Sequence, residues 1–530
     1  MAKKIAIFDS TLRDGAQAEK ISYSVEDKWK IVRAMDELGI SYIEAGNPGS
    51  NPKDLEFFHQ VKGNELKCAK LTAFGSTRRR GMQVEDDSNI QSLLFANTPV
   101  VAIFGKSWDL HVKNVINTSL EENLKMIKET VMFFKKEGKE VIFDAEHFFD
   151  GFKSDPEYAF ETLQAAVDSG TDWLVLCETN GGAFPNEVYE ITKKVVRQFS
   201  TPVGIHCHND GGMAVANSIM AVKAGATQVQ GTFIGLGERC GNANLSTIIP
   251  NLQLKKGYVC IRKNQMIRLT STARYVAEVS NVALNTRLPY VGKSAFAHKG
   301  GMHVDGVMKD PRSYEHIKPE KVGNERRFLM SEVSGRSTIL KKIQKISPEL
   351  QKNSKEMQLI MDHLKKLEHK GYQFEAAECS FELMVRKLLG KYKPFFQLEN
   401  FTIIDEQPMQ NGGISSSAII KVNVDGKHEI TVAEGDGPVN ALDRSLRKAL
   451  EVFYPELKEV HLTDFKVRVL NPEAATAAKV RVLIESTDGK DIWTTVGVST
   501  DIIEASCIAL VDSIEYKLTK NIEKKFKASM

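Results

Sequence analysis

The sequence is poor in cysteine: seven in 530 residues, with no C-x-x-C pair among them. That excludes a disulfide framework and a structural zinc ribbon, and it suits a reducing compartment. Long apolar runs are missing as well. Nothing approaches the ~20 consecutive apolar residues that cross a bilayer. The N-terminal apolar stretch, Ile5 to Phe8, is too short for a signal peptide. An excess of one charge is also lacking, since 71 Lys and Arg against 68 Asp and Glu leave a net charge of +3. Neither nucleic acid nor an anionic membrane is therefore expected as a partner, and the expected location is cytoplasmic.

What is present is a globular composition, 42% hydrophobic and 26% charged, in a chain too long for one ordinary core. To about residue 285 one rhythm recurs: a short apolar run ends in polar or glycine residues, and an amphipathic stretch follows. The runs are KIAIFD, SYIEAG, AKLTAFG, VVAIFG, EVIFDAE, DWLVLCE, PVGIHCH and TQVQGTFIG. Each is near-continuously apolar, as a parallel strand covered on both faces should be. Between the first two, SVEDKWKIVRAMDEL reads as a helix. Ser24 and Asp27 form a variant capping box, Val25, Trp29, Val32 and Met35 share a face, and Gly39 stands in the C-cap place. Eight such units match a (β/α)8 TIM barrel better than a doubly wound sheet. The reason is where the polar residues fall. Asp9, Asp14, Glu44, Glu146, Glu178, Thr179, His206 and His208 stand at the C-terminal ends of the runs. A barrel gathers all of these in one mouth, whereas an open sheet strings them along a line.

After residue 285 the rhythm stops. Residues 286–394 read as a connector: an irregular Gly-, Pro- and His-rich segment, then a small helical subdomain around SPELQKNSKEMQLIMDHLKKLEHKG. Residues 395–530 change character again. Alternating strands flank Asp425-Gly426 and precede the helix PVNALDRSLRKALEVF, and a second copy opens with FKVRVLN and turns at Asp488-Gly489 before DIIEASCIALVDSIEYKL. Two ββ-helix units in tandem predict an α+β domain with a pseudo-repeat, suited to ligand binding or dimerisation.

The stretch HCHND organises the first domain. On a strand, His206 and His208 share a face and Cys207 points away. Two such imidazoles can hold a divalent metal, or they can be ordinary hydrogen-bonded histidines. Asp14, in DSTLRDGAQ, offers a carboxylate past the first strand, although most Asp-Gly pairs are turns. GLGERCGNANL, Gly235 to Leu245, lacks the third glycine of a dinucleotide fingerprint and reads as a tight loop over the barrel mouth. Asn242 and Asn244 there offer amide oxygens, or simply form turns. The first, seventh and eighth strands are neighbours in a closed barrel, so Asp14, His206, His208 and Asn242 converge. That donor set suits Mg, Mn, Co or Zn acting as a Lewis acid.

DSTLRDGAQ, HCHND and GLGERCGNANL together resemble the signatures of the DRE-TIM metallolyase superfamily. The whole chain, with its C-terminal repeat, is similar to the acyl-CoA-condensing branch: the 2-isopropylmalate, citramalate and homocitrate synthases. The resemblance implies an acyltransferase joining acetyl-CoA to a 2-oxo acid, with Asp14, His206, His208 and Asn242 as metal ligands. It implies that Arg13 holds the oxo acid and steadies the developing alkoxide, and that Glu146 and Thr179 contact substrate. His303 and Tyr314 would assist acetyl-CoA activation, from the other subunit in a homodimer. The base would be centred on His303 with Glu146 behind it.

Phe74 and Phe104 end the third and fourth runs and would shrink the pocket, or else belong to the barrel core. The wording of TAFGSTRRRG and IEAGNPGSNPKD is closer to the citramalate group than to the isopropylmalate group. Pyruvate, for isoleucine biosynthesis, is thus the expected oxo acid, and 2-oxoisovalerate is second. 2-Oxoglutarate is third, because it needs a further cation such as Arg78, Arg79 or Arg80. The C-terminal domain resembles the family's regulatory domain, with isoleucine as the implied effector near Glu434–Asn440 or Thr494–Asp501. Two other readings stay open. A lyase of the 3-hydroxy-3-methylglutaryl-CoA type is suggested by Cys240 in the eighth loop, but that family lacks the C-terminal repeat. A non-catalytic amino-acid sensor is opposed by the intact ligand set.

Overall fold

The computed structural model describes residues 3–329, 336–344, 346–406, 415–489 and 491–528. They form two compact units, one of residues 1–296 with 317–326, the other of 297–316 with 327–530.

In the first unit all eight apolar runs are strands: β1 (Ala6–Asp9), β2 (Tyr42–Glu44), β3 (Lys70–Ser76), β4 (Val100–Lys106), β5 (Glu140–Glu146), β6 (Trp173–Glu178), β7 (Val203–Cys207) and β8 (Gln228–Gly231). They pair in sequence order, and β8 pairs in parallel with β1 to close a barrel. Alternation decides what each residue packs against. Phe8, Tyr42, Val100, Ala102, Ile142 and Val175 form one buried cluster inside the barrel. Their neighbours Ile7, Ile43, Val101, Val141, Leu174 and Ile205 join the larger core under the helices. Burial on both faces is why the runs are apolar throughout. Toward the C-terminal ends the inward face turns polar, from Ile142 to Asp144 and from Gly204 to His206.

The helix Val25–Leu38 shows how local sequence sets the spacing. The Ser24 hydroxyl accepts from the Asp27 N–H, and the Asp27 carboxylate accepts from the Ser24 N–H. Gly39 ends the helix at φ 91°, a left-handed position that an L side chain adopts only with strain. Ile31, Val32 and Met35 are buried on the barrel side, with Val25 and Trp29 half-buried against the same core.

The second unit begins with a parallel pair, β9 (Ala297–His298) and β10 (Arg327–Phe328), and the helix Gly301–Lys309. The helices Lys355–Lys370 and Glu378–Leu388 enclose Met357, Ile360, Leu364, Phe374 and Phe381. The C-terminal repeat is larger than its sequence suggested. Each copy is βββα rather than ββα: β11 (Gln397–Glu406), β12 (Ser415–Val424) and β13 (Lys427–Gly435) precede the helix Pro438–Glu451. Then β14 (His461–Val469), β15 (Val480–Thr487) and β16 (Ile492–Ser499) precede Ile502–Ala528. The strand missing from the sequence reading is β11, QLENFTIIDE, whose interspersed charges hide its alternation. Both copies share one core, in which Ile420, Val422, Leu442 and Leu446 meet Val482, Ile484, Leu510 and Ile514. Among the described residues no helix is long and apolar enough to cross a membrane.

Candidate active site

Strand register assembles the site. Cys177 on β6, His206 on β7 and Gln230 on β8 stand side by side, as do Phe104 on β4 and Asp144 on β5. Past the end of β1 the chain turns at Ser10–Asp14 and brings Asp14 to the histidines. The Asp14 carboxylate lies 3.3 Å from His206 Nε2 and 4.0 Å from His208 Nε2. The two Nε2 atoms are 3.4 Å apart. Metal bonds of about 2.1 Å at octahedral to tetrahedral angles put ligand atoms about 3.0–3.4 Å apart. Two of the three separations fit directly, and the third suits a wider angle.

Two further observations support a cation there. Asp14 Oδ1 and Asn242 Oδ1 are buried without a hydrogen-bond partner among the described residues, although burial of an unpaired polar atom is costly. The second is the tautomer. Gln230 Oε1 is 3.1 Å from His206 Nδ1, and Gln230 Nε2 donates to Asp144 Oδ1 at 3.0 Å. Because that amide orientation presents an acceptor, a proton belongs on Nδ1 and Nε2 faces Asp14 and His208. Burial would lower the His206 imidazole, but Asp14 outweighs it and raises it, and a bound cation would take the place of the Nε2 proton. Asn242 reaches the site by backbone pairing with His208. Asn244 does not join it: its side chain caps the helix Leu245–Pro250.

Electrostatics tune the same groups. Burial pulls the His208 imidazole down to about 4, with the His206 charge adding to it, so His208 is neutral near pH 7 and able to ligate. Burial would raise the Asp14 carboxyl, but Arg13 and His206 outweigh it and hold the group well below the usual carboxylate range. Burial pushes the Asp144 carboxyl up to about 7, and the Glu44 charge adds to it.

Arg13 is clamped on three sides. Its Nε donates to Glu44 Oε2 at 2.7 Å, its Nη1 is 3.1 Å from Asp14, and its guanidinium lies 3.8 Å from the centre of the Phe74 ring. Glu44 also accepts from the Ser10 hydroxyl. Burial alone would ease deprotonation of Arg13, but Glu44 and Asp14 prevail and keep it a cation. Phe74 stacks on Phe104 with ring centres 5.2 Å apart and planes 18° apart. Both rings wall a cavity of about 310 Å³ that also meets Arg13, Asp14, His206 and His208.

Glu146, the last residue of β5, borders this cavity and is ion-paired with Lys106. Thr179 borders it as well, and its hydroxyl accepts from the His147 N–H at 3.0 Å. His303 and Tyr314 belong to the second unit, where their rings stack at 4.2 Å. Gly306 makes room for that stack, since a Cβ there would come within 2.6 Å of the tyrosine ring. Arg78 is only 2% exposed and is committed to Glu122 and Glu129, so it is not a spare cation for a second carboxylate. Cys240 is exposed. The sequence reading missed Asp144, Gln230 and Arg239. The signal for the first two was there, a carboxylate and an amide at inward positions of otherwise apolar runs. For Arg239 only the loop geometry speaks.

Residues 4–276 match the HMGL-like family model, 290–372 the homocitrate synthase post-HMGL domain-like model, and 375–518 the LeuA allosteric (dimerisation) domain. An (R)-citramalate synthase of Aquifex aeolicus (strain VF5) is 54% identical over 524 residues, 99% of each chain. One of Geobacter sulfurreducens is 51% identical over 519 residues, 98% of each chain. A probable 2-isopropylmalate synthase of Methanopyrus kandleri is more distant, 33% identical over 97% of this chain and 98% of its own. With this barrel, this donor cluster and these full-length relatives, the chain belongs to the (R)-citramalate synthase family of acyltransferases.

Proposed function

We propose that this chain condenses acetyl-CoA with pyruvate to give (R)-citramalate and CoA, as a cytoplasmic enzyme of isoleucine biosynthesis. The observation that carries the reading is the separation among relatives. Five named (R)-citramalate synthase are 42–54% identical over nearly the whole chain, against 30–33% for those named 2-isopropylmalate synthase. The stacked Phe74 and Phe104 rings agree with a small acyl group.

A divalent cation held by Asp14, His206, His208 and Asn242 would draw electron density from the keto group and make its carbon electrophilic. Arg13 donates N–H bonds to the oxygen that gains the electron pair. Because Glu44, Asp14 and Phe74 already fix the guanidinium, it need not reorganise as charge develops. The Thr179 hydroxyl meets the substrate carboxylate, and the pyruvate methyl packs on the two phenyl rings. Our candidate for removing a proton from the acetyl methyl group is centred on His303, with Tyr314, both supplied by the other subunit of a dimer, and has Glu146 behind it. The resulting carbanion forms the new bond to the keto carbon, and the former keto oxygen takes up a proton. Water then cleaves the thioester, which releases CoA and leaves the second carboxylate.

The C-terminal unit is proposed to dimerise and to bind isoleucine; its match to the LeuA allosteric (dimerisation) domain supports this. Of the two candidate segments, Glu434–Asn440 turns from the end of β13 into its helix, whereas Thr494–Asp501, read from sequence as a loop, lies mostly within β16 and leaves only Thr500 and Asp501 before the last helix. They are tightly built: a Cβ on Gly435 or Gly497 would meet helix backbone at 2.4 or 2.0 Å. The test is CoA release with acetyl-CoA, Mn and each of pyruvate, 2-oxoisovalerate and 2-oxoglutarate, with and without isoleucine. The reading expects turnover of pyruvate, suppressed by isoleucine. A preference for 2-oxoisovalerate would overturn it.

A further inference from the structure

The loop from Ile234 to Gly241 is under backbone strain. Ile234, Gly235, Gly237, Arg239 and Gly241 all have positive φ, with Ile234 at 55° and Arg239 at 56°. The glycines adopt this at no steric cost, but Arg239 does not. A side chain held there needs contacts that outweigh the strain, and Arg239 has them. Its Nε donates to Asp210 Oδ1 at 2.8 Å, and its Nη2 donates to Asp210 Oδ2 at 3.0 Å and to the Thr179 carbonyl at 2.8 Å. One guanidinium therefore ties together the loops that follow β6, β7 and β8.

The tied loops are nested as well. The Gly211 N–H donates to the Gly181 carbonyl at 2.8 Å, and a Cβ on Gly181 would come within 2.5 Å of Asp210. The Asn209 N–H donates to Gly241 O at 2.9 Å. Asn242 is the next residue. Its Nδ2 donates to Leu236 O at 3.2 Å, and its buried Oδ1 has no partner among the described residues. A Cβ on Gly237 would meet Asn242 Nδ2 at 2.1 Å, so the loop lies closely against this amide only because a glycine stands there. Arg239, which borders the cavity itself, thus stands where it can fix both Asn242, paired with His208, and Thr179, which borders the cavity.

We infer that Arg239, through Asp210, is a positioning residue that presets the Asn242 oxygen for the divalent cation and thereby sets the affinity of the site for it. The inference rests on the cation reading of Asp14, His206 and His208. An ordinary surface ion pair would contribute little and leave that affinity unchanged. A group that orients a ligand typically changes metal affinity or activity by ~10–100-fold when removed.

The experiment is a Mn²⁺ titration of the full-length, metal-free protein, read by electron paramagnetic resonance without substrates. The parent is compared with Arg239→Ala, Arg239→Lys, Asp210→Asn and, as reference, His208→Ala. Arg239→Ala and Asp210→Asn are expected to weaken Mn²⁺ binding about 10-fold. Arg239→Lys is expected to recover part of this, because an ammonium can satisfy one acceptor but not the bidentate pair. Tight binding by the parent, with Arg239→Ala and Asp210→Asn within twofold of it, overturns the inference and leaves the cation site standing. Equal binding by the parent and His208→Ala overturns the cation reading and, with it, the positioning role of Arg239. If Arg239→Ala fails to fold, Asp210→Asn, which changes no volume, decides.

Discussion

Replacing Phe104 by alanine should widen the acyl pocket and relax the choice of oxo acid. The ring walls the cavity and stacks on Phe74, which in turn carries the Arg13 guanidinium at 3.8 Å. Its removal has two opposite effects. Pyruvate loses a wall for its methyl group and some rigidity behind Arg13, so kcat/KM for pyruvate should fall about 10-fold, or ~1.4 kcal/mol. 2-Oxoisovalerate carries two more carbons, each worth ~1–3 kcal/mol of discrimination where a wall refuses or admits it. Its kcat/KM should rise about 10-fold, so the ratio of the two substrates should move by roughly 100-fold. The stability loss should stay near the low end of the ~3–5 kcal/mol typical of a buried Phe→Ala change, because the ring is only half-buried. The assay is CoA release with each acid at saturating acetyl-CoA, on protein shown by circular dichroism to be folded. An unchanged ratio in a folded variant would refute the placement of the methyl group against this ring.

Other outcomes can be checked alongside. Glu44→Gln removes the charged partner of Arg13 Nε, and hydrogen bonds to charged groups are worth ~1.5–3 kcal/mol. Steady-state kinetics should show kcat reduced about 10–100-fold, with KM for acetyl-CoA nearly unchanged. His208→Ala should weaken Mn²⁺ binding by roughly 100-fold or more in calorimetric titration, with the barrel still folded. Glu515 tests the C-terminal unit. It is 1% exposed, burial pushes its carboxyl up to about 7, and it accepts from the Phe395 N–H at 3.1 Å. A raised carboxyl favours the folded state below its ordinary value of 4.5, and that advantage is lost as pH climbs through about 7. Denaturant melts should therefore show Glu515→Gln more stable than the parent at pH 8, by up to about 3 kcal/mol, with the gain vanishing near pH 5.

The barrel was legible because its strands are buried on both faces and so read as eight apolar runs, each ending where its inward face turns polar. The four proposed ligands were legible for a related reason. His206 and His208 lie two apart on one strand, and closure of the barrel makes β1, β7 and β8 neighbours. What the sequence concealed depends on three-dimensional register. Gln230 matters because β8 sets it beside His206, and Asp144 because Gln230 donates to it. Neither partnership has a sequence spacing that announces it. β11 was hidden because Glu399, Asn400, Asp405 and Glu406 interrupt its apolar pattern. His303 and Tyr314 were named from resemblance alone, and the structure adds their stacking on one another.

The central claim is that Asp14, His206, His208 and Asn242 hold the catalytic cation. It is tested most directly by anomalous scattering from crystals of the full chain grown or soaked with Mn²⁺. The account predicts one strong peak about 2.0–2.3 Å from Asp14 Oδ, both Nε2 atoms and Asn242 Oδ1. A peak bound elsewhere, or none at this site in protein whose turnover of pyruvate requires Mn²⁺, would contradict it.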